Sequence, residues 1–281
     1  VGSDLVLTNS FGGTSFRLKL HDAQNRVVEL NEAAAKLAQQ AVSLHTKSTG
    51  RQVIVAGSMG PTGELFEPLG ALTHSSAVAA FREQASALAN GGVDVLWIET
   101  MSFMEKVGAT TGAAYTIGLP ICSTMTFDTE RRSMMGVTQA DFASFAAAQG
   151  ADFTGAICGI GPAELLNSVQ SIFTQANDIP VVAKCNCGIP AYVDGAIHYH
   201  GTPELMAEYA LFARDAGAKI IGGCCGTTPA HVAAMVDALN GTVKRPFDPV
   251  AMTAALGTAW HGVDTSGGSN ALRGGRRGRR R

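Results

Sequence analysis

Aromatic residues make up only 6% of this 281-residue chain, two of them Trp, while glycine is abundant at 33 residues. That scarcity argues against a β-sandwich and suits an α/β protein whose tight βα turns are built from small residues. Long apolar runs are also missing. None approaches the roughly 20 residues that cross a bilayer, so no membrane span is expected. No secretory leader is visible from Val1 onward, and cytoplasm is the expected location. No G-x-G-x-x-G follows an apolar run and no G-x-x-x-x-G-K-[ST] occurs, so nothing points to a nucleotide. The helical stretch around His231 contains no HExxH zinc-protease motif.

What is present is a core-forming chain with unevenly placed charge. The hydrophobic fraction is 46% and the formal net charge is −2. Residues 273–281 hold six Arg and no acid; without those six charges residues 1–272 stand at −8. An acidic body argues against a specific nucleic-acid partner. The segment 263–281 is Gly, Ser and Arg with almost nothing to bury, and is expected to be a disordered tail behind a barrel domain spanning 1–262. Six cysteines occur: Cys122, Cys158, Cys185, Cys187, Cys224 and Cys225. Without a secretory context they read as metal ligands, catalytic groups or core residues before disulfides.

Along the chain, a short apolar run, a turn and a helical stretch repeat. The runs are 4–10, 52–58, 94–100, 120–127, 153–158, 180–186 and 218–225. Their mostly apolar middles suit parallel strands buried on both faces. Helices are expected near 28–47, 77–90, 103–117, 139–149, 162–176, 203–216 and 229–240. Thr202-Pro203 and Thr228-Pro229 mark two starts, with a capping Thr before a Pro at the first helical position. Seven regular βα units without a mid-chain break predict a (β/α)8 TIM barrel whose first strand is absent from this chain. A doubly wound open sheet is the alternative.

In such a barrel the reactive groups gather at the C-terminal ends of the strands. Those ends carry Thr8, Asn9 and Ser10, then Ser58, Glu99, Phe127, Cys158, Asn186, and finally Cys224 and Cys225. Three cysteines at two strand ends fit a tetrahedral zinc site with one open position, which a substrate thiol would fill. Metal coordination deprotonates such a thiol. Buried hydrophobe is the competing reading, and Cys122, mid-strand, is assigned to it. Cys185 and Cys187 read as structural, although C-x-C can chelate. Adjacent Cys224 and Cys225 reach one ion only where the strand ends or bulges, which Gly222, Gly223 and Gly226 permit. His198 and His200 read as a surface pair in a polar loop. Glu99, at the end of an apolar strand, suits either a salt bridge or a substrate ammonium. Asn186 and Thr8 suit either substrate contact or backbone capping.

These residues carry a resemblance. Ile221-Gly222-Gly223-Cys224-Cys225-Gly226-Thr227 resembles the IGGCCGT signature of the homocysteine S-methyltransferase family. Gly155-Ala156-Ile157-Cys158-Gly159 is similar to its G-x-N-C-G motif, Thr8-Asn9-Ser10-Phe11 to its T-N-[ST]-F strand end, Ile98-Glu99-Thr100 to its acidic strand end, and Asn186-Cys187-Gly188 to its N-[AC]-G turn. The match runs in order from about Val1 to Asn240. The stretch 8–23, with 192–195 and His198-Tyr199, is most similar to bacterial betaine–homocysteine S-methyltransferases. The resemblance implies a (β/α)8 barrel, Zn2+ on Cys158, Cys224 and Cys225, the homocysteine amine on Glu99, and Thr8, Asn9 and Asn186 in the substrate site. Three departures stand out. Ile157 replaces the usual Asn. The family's first strand with its D-G-x-x-G turn is absent. Gly12 and Thr100 stand where the animal betaine enzymes carry Tyr.

The expected activity is therefore zinc-dependent methyl transfer to homocysteine, giving methionine, with betaine as donor. S-methylmethionine or another sulfonium, and 5-methyltetrahydrofolate, are the alternative donors. A non-catalytic zinc or thiol-redox protein is the alternative of another class. The expected partners are homocysteine and a small methyl donor; a homo-oligomer is compatible with this reading.

Overall fold

A computed structural model describes residues 1–128, 131–176 and 178–259. The seven apolar runs form seven parallel strands in sequential order: β1 (Leu5–Leu7), β2 (Ile54–Met59), β3 (Val95–Met101), β4 (Ile121–Met125), β5 (Phe153–Cys158), β6 (Val181–Cys185) and β9 (Ile220–Gly223). β2 to β6 are almost wholly buried, as strands covered on both faces must be. Side chains alternate between two cores. Ala56, Val95, Trp97, Cys122 and Val182 meet inside the sheet, with Leu5 and Leu7 of β1 and Ile220 of β9 against them. Residues of the first and last strands share one inner cluster, so the sheet is curled into a half-barrel. β1 pairs with β2 and β9 with β6; among the described residues no strand joins β1 to β9.

The helices cover the outer face. α2 (Val27–Thr49), α3 (His74–Asn90), α4 (Met104–Tyr115), α5 (Gln139–Ala148), α6 (Pro162–Phe173), α7 (Pro203–Asp215) and α8 (Pro229–Gly241) lie where the sequence placed helices. α7 shows why. Met206, Tyr209, Ala210 and Ala213 repeat at helical spacing and are all buried, and Thr202 caps it by accepting from Leu205 N–H at 3.3 Å. At α8 the cap is Thr228, and His231 three residues on completes a capping box. His231 Nδ1 accepts from Thr228 N–H at 3.1 Å, so Nε2 keeps the proton and donates to the Gly201 carbonyl at 3.1 Å.

Two helices and a hairpin were not expected. A short α1 (Ser15–Leu18) follows β1, and α9 (Pro249–Leu256) packs beside α6 and α7. The polar stretch holding His198 and His200 is no simple loop. It contains an antiparallel hairpin, β7 (Pro190–Val193) and β8 (Ala196–Tyr199), inserted between β6 and α7 and turned by Asp194-Gly195, both at positive φ. This is hairpin-turn chemistry in which two φ > 0 residues match the strand twist. The Gly/Ser/Arg tail expected at 263–281 lies outside the described residues. No described helix is long and apolar enough to cross a membrane.

Candidate metal centre

The three cysteines expected to act together do meet. Their Sγ atoms all lie within 4.8 Å of one another, and Cys158 Sγ is 2.8 Å from Cys224 Sγ. All are free thiols. Cys158 closes β5 in the left-handed region, at φ +57°, followed by Gly159 at +74°. A non-glycine residue there is uncommon, and the turn brings its thiol toward the end of β9. Cys224 and Cys225 lie just past that strand, which ends at Gly223, so strand alternation no longer separates them. Cys224 N–H donates to the Cys185 carbonyl at 2.6 Å, and Cys187 N–H donates to the Cys225 carbonyl at 2.8 Å. A side chain on Gly223 would stand 2.1 Å from Thr227 Oγ1, so only glycine fits the turn.

Hydrogen bonds from Cys158 and Cys224, helped by the Tyr199 hydroxyl, pull the Cys225 thiol down to about 2. The same contacts push Cys158 far above its usual range; Cys158 pulls Cys224 down, but Cys225 and burial together outweigh it and lift Cys224 to about 11. Tyr199 is raised to about 12, by burial and by Cys225. The donor set fits zinc. Sulfurs about 2.3 Å from one tetrahedral ion stand about 3.8 Å apart, inside the 4.8 Å spread, although the 2.8 Å approach must widen. Cys158 and Cys224 are half-buried and Cys225 is exposed, so the cluster opens to solvent on one side.

Glu99 lies on β3, where the ladder with β4 is interrupted between Ile98 and Met101 and Thr100 sits at φ +61°. Its carboxylate is buried and held on both oxygens. Ser58 Oγ donates to Oε1, and Lys184 Nζ pairs with Oε2 at 3.0 Å. Burial works against the Lys184 charge, but Glu99 overrides it and the pKa rises. Thr8 lies behind Ser58. It accepts from Ser58 N–H at 3.0 Å; Ser10 Oγ spends its proton on the Ser58 carbonyl at 2.7 Å, so Thr8 must donate to Ser10 at 2.6 Å. Thr8 and Ser10 therefore lace β1 to the end of β2. Asn9, between them, is exposed.

Asn186 follows β6. Its Nδ2 donates to the Gly159 carbonyl at 2.7 Å and its Oδ1 accepts from Cys225 N–H at 3.2 Å. Cys122 is fully buried in the inner cluster. Cys185 and Cys187 are buried, the first 3.9 Å from Met206 Sδ and the second donating to the Gly201 carbonyl at 3.2 Å. His198 and His200 stack on each other with centroids 6.3 Å apart, and neither belongs to the thiol cluster. Lys184, a neighbour of the centre, was not expected there, whereas Tyr199 already belongs to the stretch that carries the resemblance. Lys184 was visible as the single charge in an apolar run. Tyr199 reaches the centre only because the hairpin folds over Gly226, whose missing side chain leaves room for its Cβ.

Residues 1–239 match the family model described as homocysteine S-methyltransferase. Two curated relatives are methionine synthases, one from Mycobacterium tuberculosis, 28% identical over 269 residues, and one from Mycobacterium leprae, 28% identical over 255 residues. They cover 93% and 87% of this chain, which spans only 22% and 21% of their own lengths. Among solved structures, the metallated form of the homocysteine methyltransferase MmuM from Escherichia coli superposes with a TM-score of 0.70 at 22% identity, over 84% of this chain and 79% of that one. At that identity the likeness speaks for the fold, a partial TIM barrel. With its model matched across more than four-fifths of the sequence, and with the signature cysteines gathered at one end of the curled sheet, the chain belongs to the homocysteine S-methyltransferase family.

Proposed function

We propose that this chain transfers a methyl group to the sulfur of homocysteine, giving methionine, with Cys158, Cys224 and Cys225 holding a zinc ion. The observation that carries the reading is the meeting of three thiols from two strand ends, half-buried on one side and open on the other. A bound zinc ion would supply deprotonation of the substrate thiol at neutral pH. The chain's own residues do the rest. Asn186 ties the Cys158 turn to the Cys225 backbone. The Glu99 carboxylate, already shared by Ser58 and Lys184, is the candidate acceptor for the homocysteine ammonium, while Thr8 and Ser10 brace Ser58 beneath it. Asn9, exposed on the rim next to them, is the remaining substrate-contact candidate.

Betaine is the proposed donor, on the similarity to bacterial betaine enzymes. Its trimethylammonium would sit on aromatic faces, an attraction worth about 2 kcal/mol when desolvated. Phe11, Phe103 and Tyr199 are the candidate faces. Tyr199 stands beside Cys225 and Phe11 is 37% exposed. Phe103 already carries the Lys106 ammonium 5.0 Å from its centroid, so of the three it offers the least free face. The deciding experiment follows methionine formation from homocysteine by zinc-loaded protein offered betaine, S-methylmethionine and 5-methyltetrahydrofolate in parallel. Turnover with betaine alone supports the full reading, turnover with another donor replaces the donor, and none with any donor defeats the activity.

A further inference from the structure

Lys184 occupies a particular place in the sheet. β6 is the one strand that lies between the two bearing the thiols. In register, Lys184 stands opposite Ile157 on β5 and Gly222 on β9, each one residue before the end of its strand, where Cys158 and the Gly223–Cys225 turn begin. Gly222 presents no side chain, and a Cβ there would already stand 3.9 Å from Lys184 Cγ. Lys184 thus lies on the strand flanked by both thiol-bearing strand ends. Its side chain is only 16% exposed and its Nζ is fixed 3.0 Å from Glu99, itself 7% exposed.

Two roles are open to such a lysine. It neutralises Glu99, or it serves the thiols and Glu99 aims it. Charge counting favours the second. Three thiolates around a divalent cation carry one net negative charge, and a substrate thiolate in the fourth position makes it two. A partly buried anion of that size is costly without a nearby cation.

Resting on the zinc reading above, we propose that Lys184 is a positioning residue of the metal centre: its ammonium, anchored by Glu99, balances the charge of the three thiolates and thereby sets metal affinity. The test is zinc affinity by competition with a fluorescent chelator, for the full chain and for Lys184→Met, Lys184→Arg, Glu99→Gln and the double variant Glu99→Gln/Lys184→Met. Lys184→Met is expected to bind zinc about 10- to 100-fold more weakly, the usual penalty for losing an outer partner of a metal ligand, with Lys184→Arg restoring most of the loss. The double variant decides between the roles, because it removes the Glu99 charge together with its partner and keeps the interior neutral. It stays weak if Lys184 serves the thiols. Wild-type affinity in the double variant, or in Lys184→Met, overturns the proposal. A wild-type chain that binds no zinc overturns the zinc reading, and this inference with it.

Discussion

The side-chain oxygen of Asn186 accepts the backbone N–H of Cys225 at 3.2 Å while its amide nitrogen donates to the carbonyl of Gly159, the residue after Cys158. One side chain thus spans the two turns that carry the three thiols. Asn186→Ala removes two part-buried hydrogen bonds, each worth about 0.5–1.5 kcal/mol. The expected result is a melting temperature lower by several degrees and weaker zinc binding, read by calorimetry and chelator competition. An unchanged melting temperature and zinc affinity would show that the two turns hold themselves.

Metal content tests the ligand assignment directly. Cys158→Ser and Cys225→Ser are expected to purify without stoichiometric zinc. Cys122→Ser is expected to keep it, since Cys122 lies in the inner apolar cluster away from the thiol trio. That variant still loses stability, because a hydroxyl replaces a thiol at a fully buried position, at a cost of about 1–3 kcal/mol. Full zinc retention in both ligand variants would defeat the site.

Much of this arrangement was legible in the sequence, for identifiable reasons. Parallel strands buried on both faces leave continuous apolar runs, so the seven strands and most helix limits could be read from pattern alone. The meeting of the three thiols was expected from cysteines at two strand ends together with the resemblance carried by Ile221 to Thr227. Other features depend on distant contacts. Thr8 and Asn186 are small polar residues whose roles depend on which backbone groups arrive beside them, and no local pattern states that. Lys184 was visible as a charge in an apolar strand, but its partner is 85 residues away. The hairpin of β7 and β8 was hidden because it exposes both faces: Tyr192, Val193 and Ile197 are exposed apolar residues mixed with polar ones, and no period-2 pattern results.

Alkaline pH should weaken the fold through groups outside the metal centre. Burial pushes the Cys122 and Cys185 thiols and the Tyr209 phenol well above their ordinary values of 9.0, 9.0 and 10.0. A raised folded-state pKa means the unfolded chain loses its proton first. The stability these groups contribute is complete below pH 9 and falls as pH rises beyond it, by about 1.4 kcal/mol per pH unit for each ionising group. Urea midpoints measured between pH 7 and 11 should therefore decline above 9. Cys122→Ala should decline less steeply than the parent chain, and parallel slopes would remove Cys122 from this account.

The hairpin offers the sharpest single-atom test. Gly226 sits at φ +78°, and a Cβ on it would stand 2.4 Å from Tyr199 Cβ and 2.5 Å from its ring carbon Cγ. Neither strain nor clash is relieved by a side-chain rotation, since Cβ is fixed to the backbone of β8. Gly226→Ala must push Tyr199 away or distort the turn that holds Cys225. Tyr199→Ala makes room for the added methyl while also removing the hydroxyl beside Cys225. If the clash dominates, Gly226→Ala alone lowers zinc affinity and melting temperature, and adding Tyr199→Ala recovers part of the melting temperature, less whatever strain the positive φ imposes, about 1–2 kcal/mol. If the backbone conformation dominates, the double variant is no more stable than Gly226→Ala. Differential scanning calorimetry on the two single variants and the double variant separates these outcomes, and a Gly226→Ala chain as stable as the parent would contradict both.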